Sequence, residues 1–293
     1  MALIYNASFD SGTRVLSLLD KAGNVISSCE VPSKSSELTL TATADNSSVK
    51  LTKTGTVNNT YEVNTGSGWV SYTFDTVINL NAGQSCKWRC SAHPTTQSTS
   101  NYVQFAMTGE IEASGNCNSM LSSDFENITS LSGYDYAFIA LFNECTSLTQ
   151  APELPAPAVS PYCYYSMFQG CTSLTKAPVL PATTLTQYCY YSMFLGCTSL
   201  TQAPVLPATS LADYCYAAMF WRCTSLTKAP ELPATKLRQY CYMGMFSGCS
   251  ALTEARIKAT TTATYALLDW LKNVAPTGTV YANPNFTGLP TDS

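Results

Sequence analysis

The sequence predicts an α+β fold in which an N-terminal β-sandwich is followed by a short, capped solenoid of repeats. One observation behind this prediction is a unit that recurs every 26 residues in the second half of the chain. Cys-Thr-Ser-Leu-Thr begins at Cys145, Cys171, Cys197 and Cys223, and Cys-Ser-Ala-Leu-Thr begins at Cys249. The other is the alternation of apolar and polar residues between turn signals over residues 36–112, which is typical of short antiparallel strands.

Each repeat combines a proline-containing segment with a Tyr-Cys-Tyr-x-x-Met-Phe segment. Pro178 and Pro181 exclude a helix in the first segment, which is therefore predicted to be extended. Cys163, Met167 and Cys171 are spaced i, i+4, i+8, which predicts a short helix with these three residues on one face. One extended segment and one helical turn per repeat predict a leucine-rich-repeat solenoid, in which each repeat buries its apolar face only against its neighbours.

The 293 residues divide into five segments. The first contains a predicted hairpin around the turn at 20–24, and it would attach the chain to a larger assembly. In the last, Leu267, Leu268 and Leu271 form a predicted helical stripe beside Trp270, and Gly278 to Tyr281 predict a closing strand. The segments are 1–33 (attachment), 34–112 (β-sandwich), 113–136 (entry cap), 137–266 (repeats) and 267–293 (C-terminal cap).

Composition excludes several classes of function. Only 12% of residues are charged, the formal net charge is −4, and no basic run occurs, so nucleic acid is not an expected partner. No apolar stretch approaches the roughly 18 residues that cross a bilayer, so no membrane insertion is expected. The N-terminus lacks the basic and apolar regions of a secretory signal, so either an export signal has been removed or the protein reaches its place of work without one. Nine of the 13 cysteines lie on the 26-residue period, and they are predicted to be buried, inert thiols. The helical spacing excludes a disulfide within a repeat and leaves disulfides between neighbouring repeats as the alternative.

The repeat Met-Phe-x-Gly-Cys-Thr-Ser-Leu-Thr-x-Ala-Pro-x-Leu-Pro-Ala-Thr resembles the BspA-like leucine-rich repeats of bacterial surface proteins, which are common in gut Bacteroidetes and in their phages. Residues 80–89 and 107–116 are similar to the segment that precedes such repeats, and residues 274–280 are similar to the closing segment. The resemblance covers about residues 70–290 and does not cover residues 1–33. It implies adhesion or binding rather than catalysis.

No catalytic, cofactor or metal site is predicted. His93 is the only histidine, and with Cys86 and Cys90 it gives a Cys-x3-Cys-x2-His spacing that invites a zinc interpretation. A strand would place those two cysteines about 13 Å apart, too far to share one ion without a bend. The carboxylates that a glycosidase would need are scattered along the chain, at Glu153, Asp213, Glu231 and Glu254.

Positions that differ between otherwise near-identical repeats are the candidate partner-binding residues, because stacking fixes the structural positions and leaves the exposed ones free. Trp221 and Arg222 replace smaller or more flexible residues of other repeats, and both types are frequent at binding hot spots. Drift on a solvated face and a contact between subunits are the alternatives. The full set is Trp221, Arg222, Leu195, Gln169, Lys176, Lys228, Glu153 and Glu231.

Eight tyrosines recur on the same period, at 162, 164, 188, 190, 214, 216, 240 and 242. Aromatic ladders can stack on sugar rings, but the favoured prediction is that these rings pack inward and only their hydroxyls reach water. The expected function is a non-enzymatic, surface-displayed binding protein. The preferred version is a phage virion component, a head or tail fibre or a decoration, whose solenoid binds a host cell-surface glycan or protein and which could be a homo-oligomer. A bacterial cell-surface adhesin is the alternative, and a carbohydrate-active enzyme is less favoured.

Overall fold

The computed structural model describes residues 6–10, 15–19, 25–30, 36–91 and 97–289, and its contacts divide the chain into two units, 1–36 and 37–293. The first unit contains an antiparallel sheet in the order β1-β2-β3. Its strands are β1 (Asn6–Asp10), β2 (Val15–Leu19) and β3 (Val25–Glu30). The pairing of β2 with β3 agrees with the predicted hairpin, whose turn at 20–24 lies outside the described residues.

The second unit begins with two sheets, one in the order β12-β11-β4-β9-β6-β7 and one in the order β10-β5-β8. All neighbours are antiparallel except β11 and β12, which are parallel. The strands are β4 (Leu38–Ala42), β5 (Ser47–Thr54), β6 (Tyr61–Asn64), β7 (Val70–Ser71), β8 (Ile78–Leu80), β9 (Ser85–Cys90), β10 (Tyr102–Thr108), β11 (Ile111–Ser114) and β12 (Leu148–Gln150).

The two sheets share one apolar core. Along β4, Leu38, Leu40 and Ala42 are buried and the residues between them are partly exposed, as the alternation predicts. Trp88 on β9 meets Phe105 on β10 edge-to-face, with ring centroids 5.1 Å apart. This contact joins the two sheets directly.

The repeats continue the six-stranded sheet. β12 belongs to the first repeat, and isolated parallel bridges then link Gln150 to Lys176 and Lys176 to Gln202. Two short 3-10 helices, Cys117–Met120 and Phe125–Asn127, lie between β11 and the repeats. The stack ends in a parallel sheet of β13 (Lys228–Leu232), β14 (Glu254–Ile257) and β15 (Thr279–Ala282), which includes the predicted closing strand.

The predicted helix in each repeat is wrong, and so is the α component of the fold class, because no α-helix occurs among the described residues. Cys163, Met167 and Cys171 are fully buried on one side, as expected, but on a series of turns. The same correction applies to the C-terminal stripe, where Leu267 and Leu271 are buried on turns and Leu268 is exposed. The fold is therefore mostly β, with a periodic C-terminal half.

Hydrogen bonds between repeats explain the absence of helices. The N–H of Tyr164 donates to the carbonyl of Cys189 in the next repeat at 3.0 Å, and that of Phe168 donates to Met193 at 2.9 Å. Only the intervening N–H groups bond locally, such as that of Met167 to the carbonyl of Tyr164 at 3.3 Å. An α-helix would use all of these donors internally. Stacking therefore replaces the helix with turns that repeat every four residues.

Ladders of equivalent side chains, among them phenylalanine and cysteine, fill the repeat core. Phe142, Phe168, Phe194, Phe220 and Phe246 stack with ring centroids 5.5 to 5.6 Å apart. Four thiols, those of Cys171, Cys197, Cys223 and Cys249, each donate to the carbonyl of a phenylalanine in the preceding repeat, at 2.9 to 3.1 Å. The nine cysteines of the period are buried free thiols. The small side chain fits the core, and its thiol adds a second hydrogen bond to a carbonyl that already accepts a backbone N–H.

Gly196 provides a test of the turn backbone. Its φ is +75°, and a Cβ there would approach no atom closer than 3.9 Å, so substitution would be penalised by conformation alone. We expect Gly196→Ala to lower the free energy of unfolding by about 1 kcal/mol, measured by urea denaturation. Gly196→Asn should lower it less, because asparagine tolerates the left-handed region. Equal losses for the two variants would contradict this account.

Candidate functional site

Two surfaces of the stack carry the eight predicted partner-binding residues, four on each. The extended face lies on the proline-containing segments, and the turn face lies where the turn series ends. The extended face comprises Gln150, Glu153, Lys176, Val179, Gln202, Val205, Lys228 and Glu231. The turn face comprises five rungs, each a dipeptide: Asn143-Glu144 (rung 1), Gln169-Gly170 (rung 2), Leu195-Gly196 (rung 3), Trp221-Arg222 (rung 4) and Ser247-Gly248 (rung 5).

The extended face has an apolar centre that the predicted set leaves out. Val179 and Val205 occupy the same position in successive repeats, and their side chains are 79% and 80% exposed. These are the largest exposures of any large apolar side chain in the described part of the chain. The sequence contained a signal for these valines, because the position held by Glu153 and Glu231 in two repeats is valine in the two repeats between them.

A groove of about 520 Å³ lies at the N-terminal end of this face. Ser114 and Gly115 of the preceding sheet form one wall, and Glu153, Lys176 and Val179 lie on the repeat side. Within the described residues, the side chains of Glu153 and Lys176 form no hydrogen bond or ion pair. The groove therefore offers one charge of each sign beside an exposed apolar residue.

The C-terminal end of the extended face is different, because its charges pair with the next repeat. Lys228 Nζ lies 3.3 Å from Glu254, and Glu231 lies 2.7 Å from Lys258 Nζ. Arg256 also bonds Glu254, at 2.7 Å, and its guanidinium group lies over the ring of Tyr281. Lys228 and Glu231, two of the predicted partner-binding residues, thus contact neighbouring repeats.

Two of the scattered carboxylates, Glu254 and Asp213, pair with basic residues of the stack. The hydrogen bond from Arg256, followed by that from Lys228, lowers the pKa of Glu254, whereas a general acid needs a raised one. Asp213 lies 3.5 Å from Arg238. These contacts give Glu254 and Asp213 structural partners within the stack.

The predicted zinc spacing is only partly within the described structure. Cys86 and Cys90 are buried on β9, and His93 lies outside the described residues. Burial raises the pKa of the Cys86 thiol to about 11, and this thiol accepts a hydrogen bond from Trp88 Nε1 at 3.2 Å. Among the residues with described positions, no group of three or more histidine, cysteine or acidic side chains could hold a metal ion.

The turn face is held in register by one hydrogen bond per rung. The N–H of Gly170 donates to the carbonyl of Leu195 at 2.8 Å, and that of Gly196 donates to Trp221 at 2.7 Å. Trp221 is 41% exposed and Arg222 is exposed, whereas Leu195 and Gln169 are half-buried. Arg222 has a φ of +60°, at a position where rungs 2, 3 and 5 have glycine. An exposed arginine thus occupies a backbone position that favours glycine.

The tyrosines divide into an inner and an outer ladder. Tyr164, Tyr190, Tyr216 and Tyr242 are buried, as predicted, and burial raises the pKa of each phenol. Tyr162, Tyr188, Tyr214 and Tyr240 are half-buried, with ring centroids 4.5 to 4.7 Å apart. Each outer ring covers the faces of its neighbours. The outer ladder therefore presents ring edges rather than faces, which does not suit stacking on sugars.

Comparison of the chain with protein-family models, with curated proteins and with solved structures gives no match. Among the residues with described positions, none lies in a helix with the length and hydrophobicity needed to cross a bilayer. The arrangement of the two faces therefore carries the functional argument.

Proposed function

We propose that this chain is a non-enzymatic, surface-displayed binding protein whose extended face binds a cell-surface glycan or protein. The observation that carries the proposal is the pair of valines, Val179 and Val205, exposed at the centre of that face. Lys176 and Glu153, which form no ion pair in the described structure, lie beside Val179 in the groove. An apolar centre with a polar rim is the usual anatomy of a binding surface.

The rigidity of the stack supports this proposal. The extended segments are joined by parallel bridges, and Pro178, Pro181, Pro204 and Pro207 fix the backbone around the valines. A face that is ordered before binding loses little conformational entropy when a partner arrives. A shallow face of this kind can therefore bind with useful affinity.

For the place of display we propose a phage virion, as a head or tail fibre or a decoration. The support is the resemblance of the repeats to BspA-like leucine-rich repeats of bacterial and phage surface proteins. Residues 1–36 form a compact unit of their own, which is consistent with an attachment role for residues 1–33. Immunogold labelling of purified particles and of cells tests this. Label on particles supports display on the virion. Label confined to the cell envelope would contradict it and favour a cell-surface adhesin.

Binding by the extended face is tested with the double variant Val179→Glu, Val205→Glu. We expect adsorption of the labelled protein to the bacteria in whose cultures the chain is produced to weaken at least ~10-fold. The reason is that two apolar side chains that the partner would cover are replaced by charges. The control is Val77→Glu, at a valine just before β8 that is 51% exposed and lies outside the repeats. Circular dichroism should be unchanged in both. If the double variant adsorbs as strongly as the wild type, the extended face is not the binding site and another surface must bind.

A further inference from the structure

We infer that the turn face is a self-complementary interface that holds two copies of this chain in an antiparallel dimer. The inference goes beyond ligand binding, and it uses residues distinct from the extended face. It starts from two exposed charges of opposite sign, Glu144 on rung 1 and Arg222 on rung 4. Neither side chain forms a hydrogen bond or ion pair within the described residues.

The two charges cannot neutralise each other within one chain. They are three rungs apart, which is about 14 Å at the spacing of neighbouring strands. An ion pair needs a separation of about 4 Å. No described residue neutralises either one, so we take the counter-charge to come from another molecule.

Glycines determine where these charges lie. A Cβ at Gly170 would fall 2.7 to 2.8 Å from the carboxylate of Glu144, so this carboxylate rests on rung 2. A Cβ at Gly248 would fall 3.2 Å from Cγ of Arg222, so the arginine side chain leans over rung 5. The negative charge is thus at rung 2 and the positive charge is directed to rung 5. Leu195 on rung 3 and Trp221 on rung 4 lie between them.

This order is self-complementary. A two-fold axis between rungs 3 and 4, perpendicular to the stack, exchanges rung 2 with rung 5 and rung 3 with rung 4. It brings Glu144 of each copy to Arg222 of the other, and Leu195 of each copy against Trp221 of the other. An isologous interface requires this reciprocity, in which residue i meets j and j meets i. The small residues Gly170, Gly196 and Gly248 leave room for close approach.

A second copy fits better than an unrelated partner. A partner with a single anionic group would neutralise Arg222 and leave Glu144 without a counter-charge. The second copy neutralises both, with the apolar residues already at the centre. The assignment makes Trp221 and Arg222 contacts between subunits rather than contacts with a cell-surface ligand.

Sedimentation velocity of the full chain over a range of concentrations tests the inference. We expect a reversible dimer for the wild type and at least ~10-fold weaker dimerisation for Arg222→Glu and for Glu144→Arg. The variant carrying both reversals should regain most of the affinity, because the pair is restored with opposite polarity.

A rung-replacement variant separates assembly from folding. Trp221→Leu with Arg222→Gly makes rung 4 identical to rung 3, so it should fold normally and remain monomeric. A wild type that is monomeric throughout the concentration range would overturn the inference. So would a double reversal that is no better than the single ones, or a dimer that the rung replacement leaves intact.

Discussion

The protein will unfold cooperatively when the pH rises above about 10. The nine cysteines of the 26-residue period are buried, and burial raises their pKa above the ordinary value near 9. For Cys189, Cys241 and Cys249 the raised pKa is about 12. The folded chain therefore keeps protons that the unfolded chain releases, and stability must fall as the pH rises.

The expected loss is large. The contribution of the thiols is fully present below about pH 9, and it is lost progressively as the pH rises toward their folded pKa values. At one pH unit above the unfolded pKa, ionisation of each thiol in the unfolded chain lowers the free energy of unfolding by about 1.4 kcal/mol. Nine thiols together cost on the order of 10 kcal/mol, which is comparable to the whole stability of a typical domain.

Urea unfolding at pH values from about 7 to 10 measures this loss as a fall in the free energy of unfolding. The control is the variant Cys189→Ala, Cys215→Ala, in which the stability should depend less steeply on pH, by about two protons. Thiols that titrate near pH 9 in a chain that stays folded would contradict the prediction. That result would mean that water reaches the ladder.

Replacement of Phe194 by alanine will destabilise the protein by about 3 to 5 kcal/mol. The ring is fully buried, and it stacks on Phe168 and on Phe220 at 5.6 Å. The two neighbouring rings cannot close the gap, because the N–H of Phe168 is bonded to the next repeat and fixes the spacing. The cavity therefore remains, and its cost adds to the lost burial.

Chemical denaturation of Phe194→Ala measures this loss. Val205→Ala is the matched control, because Val205 is 80% exposed, and its effect should stay within about 0.5 kcal/mol. A loss below about 1 kcal/mol for Phe194→Ala would show that the stack relaxes around the missing ring.

Much of the periodic half could be predicted from the sequence, because identical residues every 26 positions must occupy equivalent environments. Burial of Cys163, Met167 and Cys171 on one side agrees with this equivalence, and the absence of a helix around Pro178 and Pro181 follows from the prolines themselves. The helix could not be excluded, because a spacing of four residues suits both an α-helix and turns that repeat every four residues. The choice depends on donors such as the N–H of Tyr164, which bonds to the next repeat.

For the candidate site, too, the sequence predicted which positions are exposed but not which side chains contact one another. Variation among the repeats identified Trp221, Arg222, Lys176 and Glu153 as exposed positions, and the structure places all four on the surface. It could not show that Lys228 and Glu231 form ion pairs across the stack, because that depends on which side chains become neighbours. The importance of Val179 and Val205 likewise becomes evident only from their exposure.

The sequence by itself determined the period, most of the residues that face the repeat core and the alternation of the N-terminal strands. These follow from local rules, since repetition and alternation assign each residue to a face. Only the tertiary structure decided how the backbone groups are satisfied and which charges meet. Both are properties of neighbours that are 26 or more residues apart, such as Lys228 and Glu254 or Glu144 and Arg222. Stacking brings the first pair into contact and keeps the second apart.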